Sequence, residues 1–356
     1  YIDKLRAALT VLVVAHHCAV TYSLIPAWFY LEPADDPTAA GLTAFVIVNQ
    51  TWFMGLFFLI SGVFVPGSYQ RKGGDRFLRD RLLRPGVPLL GFVLLIRPLV
   101  NLPQLIPSLL AGERFSFLEY YLTVGDPGPM WFVEVLLVFS FGYVLVRRLR
   151  PASTAGSEPR PVTTAMIAGV IAVLAVATIL WRLLVPVDSY WPVVGLPSPA
   201  YLPQYLLLFV IGSYADSRGW LQGLTPRQGR VGWLLALVGA ALFGWGTWAA
   251  GSVPPFVGWV ADLGEAALAV GLIIGLVVLY RDHANRAPSP FAKFCSEQAF
   301  AVYVIHPLVL VIVALLLRPV AALAVVKFGL LLAISLPLCW GLAALLRRIP
   351  AVRKVL

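Results

Sequence analysis

The chain has 356 residues, 60% of them hydrophobic and 12% charged, with a mean hydropathy of +0.85. Such a composition would make an insoluble globule but suits a bundle of membrane-spanning helices, so it excludes an ordinary soluble domain. The formal net charge of +10 sorts by loop as topological signal and anionic-lipid contact, and no nucleic acid is needed to account for it.

Ten apolar runs, at 5–25, 41–65, 86–109, 129–147, 163–186, 201–215, 231–250, 258–280, 295–317 and 321–346, are candidates to cross a hydrocarbon core of about 30 Å. They lack period-two alternation, which argues for an all-α bundle rather than a barrel. The sixth run is short. The third carries Pro88, Pro98, Pro103 and Pro107, which predict a kinked or broken helix.

The first run reads as a span rather than a cleaved leader, and it holds Arg6 near its start and His16, His17 and Cys18 in its middle. An ionisable side chain at membrane depth is costly, so a histidine there is a functional hypothesis by default. Eleven residues separate Arg6 from His17, which leaves them about 20° from eclipsed and about 16 Å apart along one helical stripe. His16 points about 100° away. A helix-bridging hydrogen bond is the bland reading of either histidine, and the better one for His16. Cys18, Cys295 and Cys339 all fall within spans and read as small hydrophobes.

Farther along, loop 66–85 is dense in Arg71, Lys72, Arg76, Arg79, Arg81 and Arg84, and loops 148–162, 216–230 and 281–294 are also basic, as is the tail with Arg347, Arg348, Arg353 and Lys354. The alternate loops carry Glu32, Asp35, Asp36, Glu113, Glu119, Asp126 and Asp188, balanced by Arg114 and Arg318. By the positive-inside rule both termini are cytoplasmic. Segment 151–161, PASTAGSEPRP, reads as a cytoplasmic linker inside one transmembrane domain covering 1–356, with no soluble domain. Glu134 lies just inside the fourth span and needs a partner or a cavity, Arg97 and Arg182 being candidate partners. Trp131 at the same rim is placed to stack a sugar ring or to join an interfacial belt. Asp262 and Glu265 are weaker candidates for an acceptor site. His306, followed by Pro307 in the ninth run, is either a second chemical group or a bridge at a kink. No P-loop, dinucleotide fingerprint or metal-ligand cluster is present, and the adjacent His16 and His17 cannot both face one metal.

Five segments together resemble acyltransferase family 3. They are Asp3–Ala7, DKLRA, leading to His17; Leu56–Phe64, LFFLISGVF; Phe77–Pro88, FLRDRLLRPGVP; Gly128–Glu134, GPMWFVE; and Ser296–Pro307, SEQAFAVYVIHP. The wording of the second and third looks nearest to the branch that includes glucan biosynthesis protein C. Gly55 stands where many relatives carry an acidic residue, and no appended extracellular domain is expected.

The resemblance implies an enzyme that moves an acetyl, succinyl or similar group from cytoplasmic acyl-CoA to a hydroxyl, often on a carbohydrate at the outer side. His17 is the expected general base or acyl relay, because imidazole has the side-chain pKa nearest neutrality. Glu134 and His306 are expected to assist it, with Tyr303, Asn49, Gln50 or His306 donating to the thioester oxygen. Trp131, Tyr303 and Asn49 are the expected acceptor contacts. Arg6, Arg81 and Arg84 suit the coenzyme's phosphates, and Ser61 belongs to the same expected site. Expected partners are acyl-CoA, a carbohydrate or small-molecule acceptor and the bilayer of an inner or plasma membrane, without nucleic acid or metal; a homodimer is left open. The competing class is a proton-coupled transporter or flippase with His17, His306 and Glu134 as a relay, although no internal repeat of the transporter kind is evident.

Overall fold

A computed structural model describes the chain except residues 113–115, 117–125, 151–160, 192–194 and 250–255. Glu113, Arg114, Glu119 and nearly all of the expected linker lie outside the described residues. Each of the ten apolar runs is helical over most of its described residues. Among the described residues, nine helical stretches are long and apolar enough to cross a membrane, so the protein is a multi-pass all-α membrane bundle.

The helices are α1 (Ile2–Tyr22), α2 (Pro37–Gln50), α3 (Phe53–Lys72), α4 (Gly74–Arg81), α5 (Val87–Gly91), α6 (Arg97–Leu110), α7 (Trp131–Leu149), α8 (Thr164–Arg182), α9 (Leu202–Ala215), α10 (Pro226–Ala249), α11 (Phe256–Ala284), α12 (Pro290–Leu317) and α13 (Ala324–Leu346). The sixth expected span is α9, whose 14 residues reach only about 21 Å at 1.5 Å per residue. The third stays one continuous helical stretch, Gly74–Pro103, irregular rather than broken at its prolines. Two π-helical turns, Leu82–Gly86 and Phe92–Ile96, interrupt it, the first containing Pro85 and the second lying just before Pro98. Proline removes a backbone donor, and a widened turn absorbs the mismatch.

The second span also breaks, between α2 and α3 at Thr51 and Trp52. A broken helix at membrane depth must have its freed backbone groups satisfied from within the protein. Here Gln204 Nε2 of α9 donates to the Thr51 carbonyl at 2.7 Å, and the Trp52 amide donates to the Asn49 carbonyl at 3.2 Å. Gly55 makes room for that contact, since a Cβ there would stand 2.8 Å from Gln204 Oε1.

About two turns farther on, α3 and α9 pack backbone against backbone. A Cβ at Gly62 would lie 2.2 Å from the Phe209 carbonyl oxygen, and one at Gly212 would lie 2.1 Å from that of Leu59. Small residues allow such approach where no hydrophobic force drives helices together in lipid. The pair fixes α3, and with it Met54 and Ser61, relative to the rest of the bundle.

Candidate active site

Two chambers enter the bundle from opposite ends. The first, of about 770 Å³, is lined by His16, His17, Gln50, Trp131, Arg182, Asp262 and Glu265 among others. The second, of about 630 Å³, is lined by Arg6, Ser61, Arg81 and Arg84, with further basic residues from the end of the chain. Met54 and Tyr303 line both. Helix α1 joins the two chambers, because the Arg6–His17 stripe places the guanidinium in one and the imidazole in the other.

His17 and His306 meet between α1 and α12. His306 is fully buried and lines neither chamber. Its Nδ1 lies 2.7 Å from the Tyr303 carbonyl oxygen, and its Nε2 lies 3.1 Å from His17 Nδ1. A carbonyl can only accept, so His306 Nδ1 carries the proton and His306 Nε2 offers a lone pair. His17 Nδ1–H then donates to it. That tautomer leaves His17 Nε2 with a free lone pair, the arrangement a general base requires.

A third ring completes the cluster. Trp28, in the segment between α1 and α2, stacks on His17 with centroids 4.1 Å apart and planes at 19°. Its segment is held at several points. The Glu32 amide donates to the Thr21 carbonyl at 2.8 Å, Lys327 pairs with Glu32, and Asp36 accepts from the Ala324 amide at 2.8 Å. Asp36 also caps α2 through the Thr38 amide. The Thr38 hydroxyl, then the Ala324 amide, hold its carboxyl below the ordinary value. Trp28 has no periodic pattern to reveal it in the sequence; an aromatic residue in the short connection after the histidine helix is the one signal available.

Among the described residues His16 makes no hydrogen bond of the helix-bridging kind expected of it. It is 6% exposed, stacks on Phe53 at 5.0 Å and lines the larger chamber, where its Nδ1 has no hydrogen-bond partner among the described residues. The 100° offset holds, but the chamber is wide enough to take both rings.

The other expected residues divide. Trp131 lines the larger chamber, its ring stacked on Tyr205 at 5.4 Å. Tyr303 stands between the chambers, its hydroxyl donating to the Pro129 carbonyl, so it serves an incoming oxygen only by leaving that partner. Asn49 is buried and lines neither chamber; its neighbour Gln50 does, donating to the Tyr205 hydroxyl at 3.2 Å. Glu134 is half-buried on α7 and lines neither chamber. Its two expected partners are engaged elsewhere: Arg97 pairs with Asp126, and Arg182 pairs with Asp262 and Glu265.

Sequence reasoning does not single out that last cluster as a unit. Arg182 of α8 crosses to α11, donating to Asp262 and, at 3.0 Å, to Glu265, and its guanidinium lies 4.9 Å from the Tyr201 ring centroid. The available signal is the i, i+3 spacing of the two acids, which puts them on one helical face. In the basic chamber, Arg6 pairs with Asp3 at 3.1 Å, and Arg81 lies 5.1 Å from the Phe77 ring centroid.

Comparison with known proteins finds partial relatives and a family. The chain is 26% identical to glucans biosynthesis protein C of Salmonella gallinarum (strain 287/91 / NCTC 13346), the match covering 47% of this chain and 44% of that protein. It is 27% identical to the protein of the same name from Salmonella schwarzengrund (strain CVM19633), over 45% and 42% of the two chains. The match thus spans less than half the length of these curated relatives. No solved structure matches. The acyltransferase domain model of acyltransferase family 3 matches residues 1–344, nearly the whole chain, and the protein belongs to that family of membrane acyltransferases.

Proposed function

We propose that the protein is an O-acyltransferase that takes an acyl group from acyl-CoA in the basic, cytoplasmic chamber and gives it to a hydroxyl group in the larger, outer chamber. The observation that carries this reading is the junction. Arg6, Arg81 and Arg84 line one cavity, His17 lines the other, and Met54 and Tyr303 border both. Ser61, in the wall of the basic chamber, is assigned to the donor site.

His17 Nε2 takes the proton of the acceptor hydroxyl as its oxygen attacks the thioester carbonyl. The tetrahedral intermediate collapses, the C–S bond breaks, and the thiolate of CoA leaves, recovering the proton from the imidazolium. His306 keeps His17 in the tautomer with Nε2 free and shares the positive charge. The aromatic walls, Trp131 and Tyr201, together with the Asp262 and Glu265 carboxylates, suit a polyhydroxyl ring, which needs flat apolar faces and hydrogen-bond acceptors. The relatives named for glucan biosynthesis support a carbohydrate acceptor, and the family resemblance supports acetyl, succinyl or a similar group as the one carried.

The test supplies radiolabelled acyl-CoA to the purified protein in detergent with a glucan oligosaccharide. Release of CoA with label on the sugar supports the reading. Arg81→Ala and Arg84→Ala should each raise KM for acyl-CoA roughly tenfold, the worth of about 1.4 kcal/mol, with kcat unchanged. Label on no acceptor, or an unchanged KM in both variants, contradicts it.

A further inference from the structure

The family match ends at residue 344, and residues beyond that point make part of the wall of the basic chamber. Arg347, Arg353 and Lys354 line it together with Arg6, Arg81 and Arg84. Six cationic side chains from three separate segments thus line one cavity, Arg6 among them paired with Asp3, and no Asp or Glu is among the lining residues. Topological signal alone would be served equally by cations facing bulk water. Gathered at one mouth, like charges repel and focus a positive potential that an anion relieves.

The tail is docked onto the bundle. Arg347 Nη1 donates to Gln298 Oε1 at 3.0 Å and to the Glu297 carbonyl, tying the segment to α12. A single turn, Pro350–Arg353, comes next, the Leu356 amide donates to the Val352 carbonyl at 2.8 Å, and Leu356 packs against an apolar cluster that includes residues of α1, α2, α12 and α13. Arg347 is therefore spent on anchoring. Arg353 and Lys354 make no side-chain hydrogen bond or ion pair among the described residues and stand in the cavity wall.

We propose that Arg353 and Lys354 bind a phosphate group of the acyl donor, so that the segment beyond the family domain forms one wall of the coenzyme site. This rests on the reading of the basic chamber as the donor chamber. Coenzyme A carries a pyrophosphate and a ribose phosphate, more negative charge than Arg81, Arg84 and the Asp3-paired Arg6 neutralise. Arginine meets a phosphate bidentately and lysine as a point charge, so the tail pair supplies a second phosphate contact of the same kind as the loop pair. An anionic lipid headgroup offers the same chemistry from the bilayer, and the experiment separates the two sources.

The experiment measures equilibrium binding of CoA, and of pantetheine, which lacks the nucleotide phosphates, to the full chain purified in neutral detergent. Arg353→Gln/Lys354→Gln should raise the Kd for CoA roughly tenfold for each cation–phosphate pairing removed and leave pantetheine binding unchanged. Arg353→Lys, which keeps the charge but loses the bidentate contact, should fall between wild type and the double variant, and added phosphatidylglycerol should not displace CoA. If the double variant melts early, Lys354→Gln and Arg353→Lys carry the comparison. Unchanged CoA affinity in the tail variants, with affinity lowered in Arg81→Ala, overturns the tail assignment while sparing the donor chamber. Loss of phosphatidylglycerol retention in place of CoA affinity assigns the pair to lipid and also overturns it. A wild-type protein that binds no CoA removes the donor reading and the proposal together.

Discussion

His306 Nε2 lies 3.1 Å from His17 Nδ1, a hydrogen bond between α1 and α12 that fixes which nitrogen of His17 is free. The pair separates two roles that a lone membrane histidine would confuse. His17 faces the chamber and His306 stands behind it.

That division yields the first prediction. Positioned general bases contribute about 10²- to 10⁴-fold, so His17→Ala should lower kcat by that range with KM for acyl-CoA unchanged. His306→Ala leaves the base in place without its orienting partner, and its loss should be smaller, with part of the activity regained in His306→Gln, whose carbonyl can still accept from His17. Steady-state kinetics of the three variants check the order.

Trp28 is the second. It holds the imidazole by stacking, and misplacement of a reacting group by about 1 Å can cost on the order of 10²-fold. Trp28→Phe should keep most of kcat, whereas Trp28→Ala should lower it with KM for acyl-CoA unchanged. A KM effect in place of a kcat effect would move Trp28 from the base to the donor.

The α3–α9 contact gives a stability prediction. A side chain at Gly62 must displace the Phe209 carbonyl, and overpacking of this kind costs about 1–3 kcal/mol. Gly62→Val should lower the melting temperature in detergent, while Gly41→Val, at a glycine with nothing within 4 Å of a Cβ, should not.

The Asp36 clasp makes a pH prediction. Hydrogen bonds from the Thr38 hydroxyl and the Ala324 amide lower its carboxyl relative to an unfolded value of about 3.9. Its contribution is present above that unfolded value and is lost as pH falls through the lower folded one. Melting temperature between pH 6 and pH 3 should therefore fall more steeply in wild type than in Asp36→Asn, which cannot titrate there.

Much of the bundle was legible because hydropathy and loop charge are local signals. The break between α2 and α3 was not, since Gln204, which satisfies the Thr51 carbonyl, lies 153 residues away. Gly55 illustrates the same limit. A departure from the family's acidic residue looks like a missing polar group, yet Gln204 fills the space a side chain there would need. The stripe of Arg6 and His17 was readable from helical geometry, but the contact of His17 with His306 spans 289 residues and leaves no periodic trace. Depth alone pairs Arg182 with Glu134, whereas helix packing brings it to Asp262 and Glu265.

The most direct test of the central claim, acyl transfer between two chambers through His17, is made in sealed proteoliposomes. Radiolabelled acyl-CoA is confined to the side of the basic chamber and a glucan oligosaccharide to the other. The account predicts label on the oligosaccharide with equimolar CoA released on the donor side, and loss of both in His17→Ala. Equal labelling by wild type and His17→Ala, or label only on sugar that shares the donor's compartment, would contradict it.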